Sequence, residues 1–107
     1  MDVNKDFFGA ILGVCGECTG RYIKVGRGIS IGRDETTAKL VLTNETISRK
    51  HCTITYDPEK AVYYVLDYSK NGIMREDGTR LPSGELCHFL EGEIIYIGNA
   101  ETAFRFL

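Results

Sequence analysis

The chain has 107 residues, 43% of them hydrophobic and 26% charged, which is close to the average for soluble globular proteins. This length suits one domain over residues 1–107 and argues against a two-domain enzyme with its site between two lobes. The formal net charge of -2 argues against the broad basic surface by which nucleic-acid-binding proteins neutralise phosphates.

The apolar run Phe7 to Val14 is much shorter than the roughly 20 residues that span a bilayer, and the acidic leader Met1-Asp2 is unlike a signal peptide. We therefore expect no membrane insertion and a cytoplasmic location. Neither terminus carries a feature that requires the chain to stop there, so we allow that the domain is part of a longer protein. Cys52 and Cys87 fall inside predicted strands, where free buried thiols are ordinary, and this favours a reducing compartment.

Short runs with strand character alternate with turn signals along the chain. The run His51 to Tyr56 alternates so that Cys52 and Ile54 share one face, and a short turn containing Pro58 predicts a hairpin with the next run. No segment of ten or more residues shows a helical period, so the pattern predicts an all-β sandwich or barrel. The predicted strands are Phe7 to Val14, Arg21 to Val25, Ile29 to Gly32, Leu40 to Leu42, His51 to Tyr56, Ala61 to Leu66, Gly72 to Arg75, Leu86 to Phe89, Ile94 to Ile97 and Ala103 to Leu107.

Three predicted loops carry residues that suit a phosphate group. They contain, in order, Gly32-Arg33, Ser48-Arg49-Lys50-His51 and Asn71-Gly72. An arginine offers a planar fork of donors to a phosphate dianion, and a serine hydroxyl and a second basic side chain can complete the shell. Because loops at one end of a β-sandwich converge, the sequence predicts a phosphate site there.

With these loops in order, the sequence from about Tyr22 to Leu107 resembles the forkhead-associated (FHA) domain family. The resemblance implies a two-sheet β-sandwich of about ten or eleven mostly antiparallel strands that binds phosphothreonine peptides. It is carried by four segments, which are Ile29-Ser30-Ile31-Gly32-Arg33, Ile47-Ser48-Arg49-Lys50-His51-Cys52-Thr53-Ile54, Val65-Leu66-Asp67-Tyr68-Ser69-Lys70-Asn71-Gly72 and Leu90-Glu91-Gly92-Glu93-Ile94-Ile95-Tyr96-Ile97-Gly98.

The resemblance also implies roles for individual residues. Arg33 and Ser48 would bind the phosphate with a contribution from Arg49, and Asn71 would hydrogen-bond the peptide backbone beside the phosphothreonine. Among the supporting residues, Gly32 would allow a close backbone approach, and His51 would hold the Ser48 loop by ring hydrogen bonds. Gly72 would form the turn that positions Asn71.

Two positions depart from the family pattern. Lys70 and Ile73 stand where family members usually carry hydroxyl residues, and Lys70 would bring an ammonium group to the phosphate instead. The implied function is a phosphothreonine-binding module that joins proteins after a Ser/Thr kinase has acted. The alternative is a scaffolding FHA-like domain of a larger assembly that works without phosphate.

Other readings of the same residues have less support. Ser48, His51 and Asp67 supply the residue types of a hydrolytic triad, but no nucleophile elbow surrounds the serine, so we expect no enzyme. Cys15-Gly16-Glu17-Cys18 has the spacing of half a zinc site or a redox pair, in what we expect to be an exposed turn. We expect no metal site and no cofactor, and a metal or redox protein is the third hypothesis.

Overall fold

Ten β-strands form at the places that the apolar patterns indicate. The computed structural model of the protein describes residues 9–107, and all ten strands in that range coincide with predicted ones. Phe7 and Phe8, which begin the first predicted strand, lie outside the described residues. The strands are β1 (Ala10–Cys15), β2 (Tyr22–Lys24), β3 (Ile29–Gly32), β4 (Leu40–Val41), β5 (Cys52–Asp57), β6 (Val62–Asp67), β7 (Ile73–Arg75), β8 (Leu86–Phe89), β9 (Ile94–Ile97) and β10 (Ala103–Phe106).

The strands build two five-stranded sheets. One has the order β2-β1-β10-β9-β7 and the other the order β4-β3-β5-β6-β8. Every pair is antiparallel except β3 and β4, which run parallel with Ile31 opposite Leu40. The predicted all-β fold with two mostly antiparallel sheets is therefore confirmed.

The predicted hairpin of β5 and β6 is also confirmed. Its register runs from Cys52 opposite Asp67 to Asp57 opposite Val62. Cys52 and Ile54 point into the core while Thr55 is exposed, as the alternation in the sequence indicates. The hairpin therefore has one face in the core and one face in solvent.

Buried aromatic rings fill one end of the space between the sheets. The ring of Phe106 lies 4.8 Å from that of Tyr63 and 5.0 Å from that of Phe89. The Tyr63 hydroxyl accepts a hydrogen bond from the Ala10 amide at 2.8 Å, and it lies 3.0 Å from the Ala10 carbonyl oxygen and 2.6 Å from that of Leu107. Burying each such ring stabilises the fold by about 1.5 to 3 kcal/mol, and this tyrosine also ties together two distant parts of the chain.

One cysteine lies elsewhere than the sequence predicted. The Cys15-Gly16-Glu17-Cys18 segment is not wholly exposed, because Cys18 is only 1% exposed and belongs to the core. The chain turns back so tightly after β1 that a side chain at Gly13 would overlap the Cys18 carbonyl oxygen. Burial raises the pKa of the Cys18 thiol, which makes it a poorer nucleophile. Cys52 and Cys87 are buried free thiols, as expected, and Cys15 is exposed.

The topology brings the three predicted loops to one end of the sandwich. β3 and β6 both run antiparallel to β5, so the ends of β3 and β6 meet the beginning of β5. The loops after Gly32, before Cys52 and after Asp67 are therefore neighbours. Over residues 9–107, no helix is long and apolar enough to cross a membrane.

Candidate functional site

Two loops pack backbone against backbone. The arginine loop, residues 33–39, follows β3, and the serine loop, residues 42–51, lies between β4 and β5. A side chain at Gly32 would overlap the Arg49 carbonyl oxygen, so only glycine permits this approach. The Arg33 amide donates a hydrogen bond to the Ser48 carbonyl at 3.0 Å, and the Asp34 amide donates to that of Arg49 at 3.2 Å. These contacts bring Arg33 and Ser48 side by side.

His51 is fully buried and connects the serine loop to the Asn71-Gly72 turn. Its Nδ1 atom accepts a hydrogen bond from the Ser48 amide at 3.0 Å, and its Nε2 atom lies 2.9 Å from the Gly72 carbonyl oxygen. Because a carbonyl can only accept, the ring hydrogen sits on Nε2 in the neutral imidazole. Burial lowers the pKa of His51, although the Gly72 carbonyl and the Asp67 charge act in the opposite direction.

Neither ring nitrogen of His51 faces the Ser48 hydroxyl, since both are engaged by backbone groups. The Ser48 hydroxyl instead accepts a hydrogen bond from the Lys70 amide at 3.0 Å. A triad needs a base within hydrogen-bond reach of the nucleophile. The geometry of Ser48, His51 and Asp67 is therefore that of a structural network, and the hydroxyl hydrogen of Ser48 is left for another acceptor.

Two further side chains are oriented by the serine loop. Arg33 donates from Nε to the Ile47 carbonyl at 2.9 Å, and Asn71 donates from Nδ2 to the Thr46 carbonyl at 2.8 Å. Within residues 9–107, no hydrogen bond engages the two terminal nitrogens of Arg33. Both side chains are exposed, so these donors can reach a ligand.

Four of the five predicted contact residues line a single depression of about 270 Å³ between the loops. Arg49 is the fifth, and it lines a neighbouring depression that it shares with Arg33. The four are Arg33, Ser48, Lys70 and Asn71, and the depression is completed by Glu45, Thr46 and Ile47. We call this depression the cradle.

A buried carboxylate shapes the loop that carries Lys70 and Asn71. One oxygen of Asp67 accepts hydrogen bonds from the Ser69 amide at 2.9 Å and from the Ser69 hydroxyl at 2.6 Å. The Gly72 amide then donates to the Ser69 hydroxyl at 2.8 Å. The other oxygen, Oδ2, is buried and has no hydrogen-bond partner among the described residues. The Asp-x-Ser spacing is typical of such a turn, but we did not predict from the sequence that Asp67 and Ser69 hold this loop in place.

Arg80 supports the same loop from outside, a role that no sequence motif predicted. Its Nη2 atom donates to the Lys70 carbonyl at 3.0 Å. Gly72 has a φ of +81°, and a side chain there would overlap the Arg80 guanidinium. Gly72 therefore serves both the turn and this packing.

The serine loop is held by three more residues that no motif indicated. The Glu17 carboxylate accepts hydrogen bonds from the Thr43 amide at 2.9 and 3.0 Å and from its hydroxyl at 3.2 Å. The Thr46 amide donates to the Asn44 side chain at 2.9 Å, and Asn99 donates to the Thr46 hydroxyl at 2.7 Å. Glu17 and Asn99 come from two other segments and Asn44 from the loop itself, so the loop is held at both Thr43 and Thr46.

The chain belongs to the FHA domain family, which matches it over residues 29–98. FHA domains are in general interaction modules rather than enzymes. The family match covers the three loops described above, the whole sheet β4-β3-β5-β6-β8, and β7 and β9 of the other sheet. It does not include the turn with Glu17.

Solved structures of other FHA domains share this fold at low sequence identity. The FHA domain of CT664 from Chlamydia trachomatis is 20% identical with a TM-score of 0.76, over 94% of this chain and 96% of that one. The MEK1 FHA domain in complex with a HOP1 phosphothreonine peptide is 24% identical with a TM-score of 0.72, over 92% and 94% of the two chains.

A third similar structure is a domain of a secretion-system protein. The cytoplasmic domain of the type III secretion sorting platform protein PscD from P. aeruginosa is 20% identical with a TM-score of 0.72, over 92% of this chain and 78% of that one. No curated protein matches the chain.

Proposed function

We propose that this protein is a phosphothreonine-binding module that joins proteins once a Ser/Thr kinase has modified one of them. The observation that carries the proposal is the cradle itself. It gathers Arg33, Ser48, Lys70 and Asn71 around one opening. Within residues 9–107, the terminal nitrogens of Arg33 and the hydroxyl hydrogen of Ser48 donate no hydrogen bond. The family membership and the phosphothreonine complex of the MEK1 FHA domain point the same way.

Each residue of the site has a distinct role in this proposal. Arg33 and Ser48 donate to the phosphate oxygens, and the Lys70 ammonium adds a third cationic donor. Arg49 contributes from the adjoining depression, where it shares the rim with Arg33. Asn71, held by the Thr46 carbonyl, hydrogen-bonds the peptide backbone next to the phosphothreonine.

Phosphorylation acts as the switch because it supplies what the cradle lacks. A phosphate brings a charge of about -1.5 to -2 and three strong acceptors, whereas an unmodified threonine leaves the cations unpaired. Hydrogen bonds to charged groups contribute roughly 1.5 to 3 kcal/mol each. Two or three of them would separate the two ligand states by about a hundredfold or more.

The proposed module binds a partner and catalyses no reaction. We infer a binding protein without catalysis, because backbone groups engage both ring nitrogens of His51, which therefore cannot activate Ser48. No cofactor is expected. The partner is a phosphothreonine-containing protein or peptide, and nucleic acid is not expected. We place the protein in the cytoplasm and treat residues 1–107 as one domain.

The test is a titration with a degenerate phosphothreonine peptide library and its unphosphorylated twin, read by fluorescence anisotropy at physiological salt. Saturable binding of only the phosphorylated pool is expected. Wild-type protein is compared with Arg33→Ala, which should lose the binding, and with Arg105→Ala, which removes an equal charge from β10 and should keep it.

Other outcomes would assign a different function. Equal binding of both pools, or retention of binding by Arg33→Ala, would contradict a phosphate cradle. No binding of either pool would favour the scaffolding alternative, in which the domain assembles with partners independently of phosphate. Ile73 is consistent with that alternative, since it is fully buried in the core and offers no hydroxyl to a ligand.

A further inference from the structure

A second surface lies next to the cradle on the outer face of the sheet that contains β3 and β5. One depression there is lined by Arg49 and Lys50 and is closed by Tyr68. The next one along is lined by Arg27 and Lys39 with hydroxyl residues of β5. Both depressions are lined by Ser30 and Thr37, so they adjoin each other, and we call the two together the β3 groove.

The β3 groove is basic although the chain as a whole is acidic. Four of the 13 lysines and arginines line it, and no aspartate or glutamate lines either of its depressions. The whole chain carries a formal net charge of -2. A cleft lined by charges of one sign focuses the local potential and attracts ligands of the opposite sign. The four cations are Arg27, Lys39, Arg49 and Lys50.

The floor of the groove is preorganised. The Ser30 hydroxyl accepts a hydrogen bond from the Lys39 amide at 3.0 Å and donates to the Thr37 carbonyl at 3.1 Å. The Lys39 amide also donates to the Ser30 carbonyl at 3.0 Å. A surface that is already ordered loses little entropy when a ligand binds, so more of each contact appears as affinity.

The cradle and the β3 groove are linked by a third depression, which Arg33, Asp34, Glu35 and Arg49 line. Arg49 lines the β3 groove and also the depression that it shares with Arg33. β3 has four residues, which corresponds to about 10 Å along the groove at the usual strand rise. An extended peptide covers that length with three or four residues, so a short flank that passes Arg33 and Arg49 would fill the groove.

We propose that the β3 groove binds an acidic segment, rich in aspartate or glutamate, that flanks the phosphothreonine in the same partner. This inference rests on the proposed function of the cradle and names a feature of the partner. Carboxylates would pair with the four cations, and the hydroxyls of Thr53 and Thr55 would donate to them at the floor.

The test compares phosphothreonine peptides that differ only in one flank. A core peptide is extended on either side by a run of glutamates or by an equal run of glutamines. We expect the glutamate run to raise affinity about tenfold on one side only at low salt, and the gain to shrink as salt increases. The glutamine run should give no gain.

Paired variants locate the effect. Arg27→Gln with Lys39→Gln, at positions outside the cradle, should reduce the gain from glutamates to about threefold, because two of the four cations remain, and leave the affinity for the core peptide unchanged. Lys24→Gln with Arg105→Gln removes the same charges from the other sheet and should preserve the gain. All four side chains are exposed, and melting temperatures check that each variant folds.

Equal affinity for glutamate and glutamine extensions would overturn the inference, as would an undiminished gain in the Arg27→Gln and Lys39→Gln pair. Failure of the core phosphopeptide to bind would instead refute the proposed function. In that case, an unphosphorylated glutamate-rich peptide tests the groove directly by NMR. Amide shifts at Ser30, Thr53 and Thr55 would support the groove, and their absence would overturn it.

Discussion

His51 shows how one buried side chain can couple the fold to the state of the site. Protonation would turn Nδ1 from an acceptor into a donor, which breaks its hydrogen bond with the Ser48 amide. Burial lowers the pKa of His51 in the folded protein, so the unfolded chain binds this proton more readily. Stability is therefore full above the ordinary histidine pKa of about 6.5 and is lost as pH falls towards the lowered pKa of the folded state.

We expect the melting temperature to fall between pH 7 and pH 5, a range in which most carboxylates stay ionised. His51→Gln, which cannot titrate, should start from a lower melting temperature and lack this fall. His88→Gln, which changes the exposed histidine of β8, should show the same fall as the wild type. A wild-type melting temperature that stays constant over this range would contradict the neutral, buried state of His51.

Arg33 is the residue on which the proposed phosphate contact depends most. Arg33→Ala should cost about 2 to 4 kcal/mol of phosphopeptide binding, because it removes a charged, two-pronged donor from the cradle. The fold should persist, since the side chain is exposed and makes one hydrogen bond, to Ile47. Calorimetric titration measures the loss, and an unchanged affinity would refute the assigned role.

Ser48 should matter less than Arg33 for the same ligand. Ser48→Ala removes one hydroxyl and no charge, so we expect a loss of about 1 to 2 kcal/mol in phosphopeptide binding. The Lys70 amide loses its partner in this variant, but it lies at the surface, where water can replace the hydroxyl. A much larger loss with a lower melting temperature would show that the hydroxyl mainly holds the Lys70 loop.

At the level of elements, the turn after β1 supports the loop between β4 and β5. Glu17→Gln removes the charge that both Thr43 donors approach, so this loop should be held more weakly. We expect faster hydrogen exchange at the Thr43 amide and a loss of phosphopeptide affinity of about threefold to tenfold. Glu91→Gln, an exposed change near β9, is the matched control. Unchanged exchange at Thr43 would show that the contact does not order the loop.

The elements themselves were predictable because their signal is local. Apolar residues mark the strands, alternating with polar ones in β5, and turn residues lie between strands, as between β5 and β6. Every strand of residues 9–107 was predicted from this pattern. The convergence of Arg33, Ser48, Lys70 and Asn71 followed from the family resemblance and the geometry of a sandwich. Their binding roles remain predictions.

The supporting contacts were not predictable in the same way. Glu17 meets Thr43 across 26 positions of sequence, and Asn99 meets Thr46 across 53. Such pairs depend on the final packing of the sheets, and no spacing rule in one sequence reveals them. Cys18 was placed in an exposed turn for a related reason, since its burial depends on the tight reversal beside Gly13.

At the scale of the whole molecule, Tyr63 joins the first described strand to the last residue of the chain. Tyr63→Phe would leave the buried Ala10 amide without its partner, so we expect a loss of about 1 to 3 kcal/mol in the free energy of unfolding. Urea denaturation measures this loss. Tyr64→Phe changes a half-buried neighbour on the opposite face and should cost less. Equal effects of the two variants would contradict the bridging role.

Tyr63 also marks the end of the sandwich that lies opposite the cradle. Ala10 and Leu107 share its hydroxyl near the beginning of β6, whereas the cradle lies beyond the end of β6, about 17 Å away at the usual strand rise. The backbone at Ala10 and Leu107 therefore lies on the side of the sandwich away from the cradle. A second protein fused at either of these two positions would leave the cradle open to its ligand.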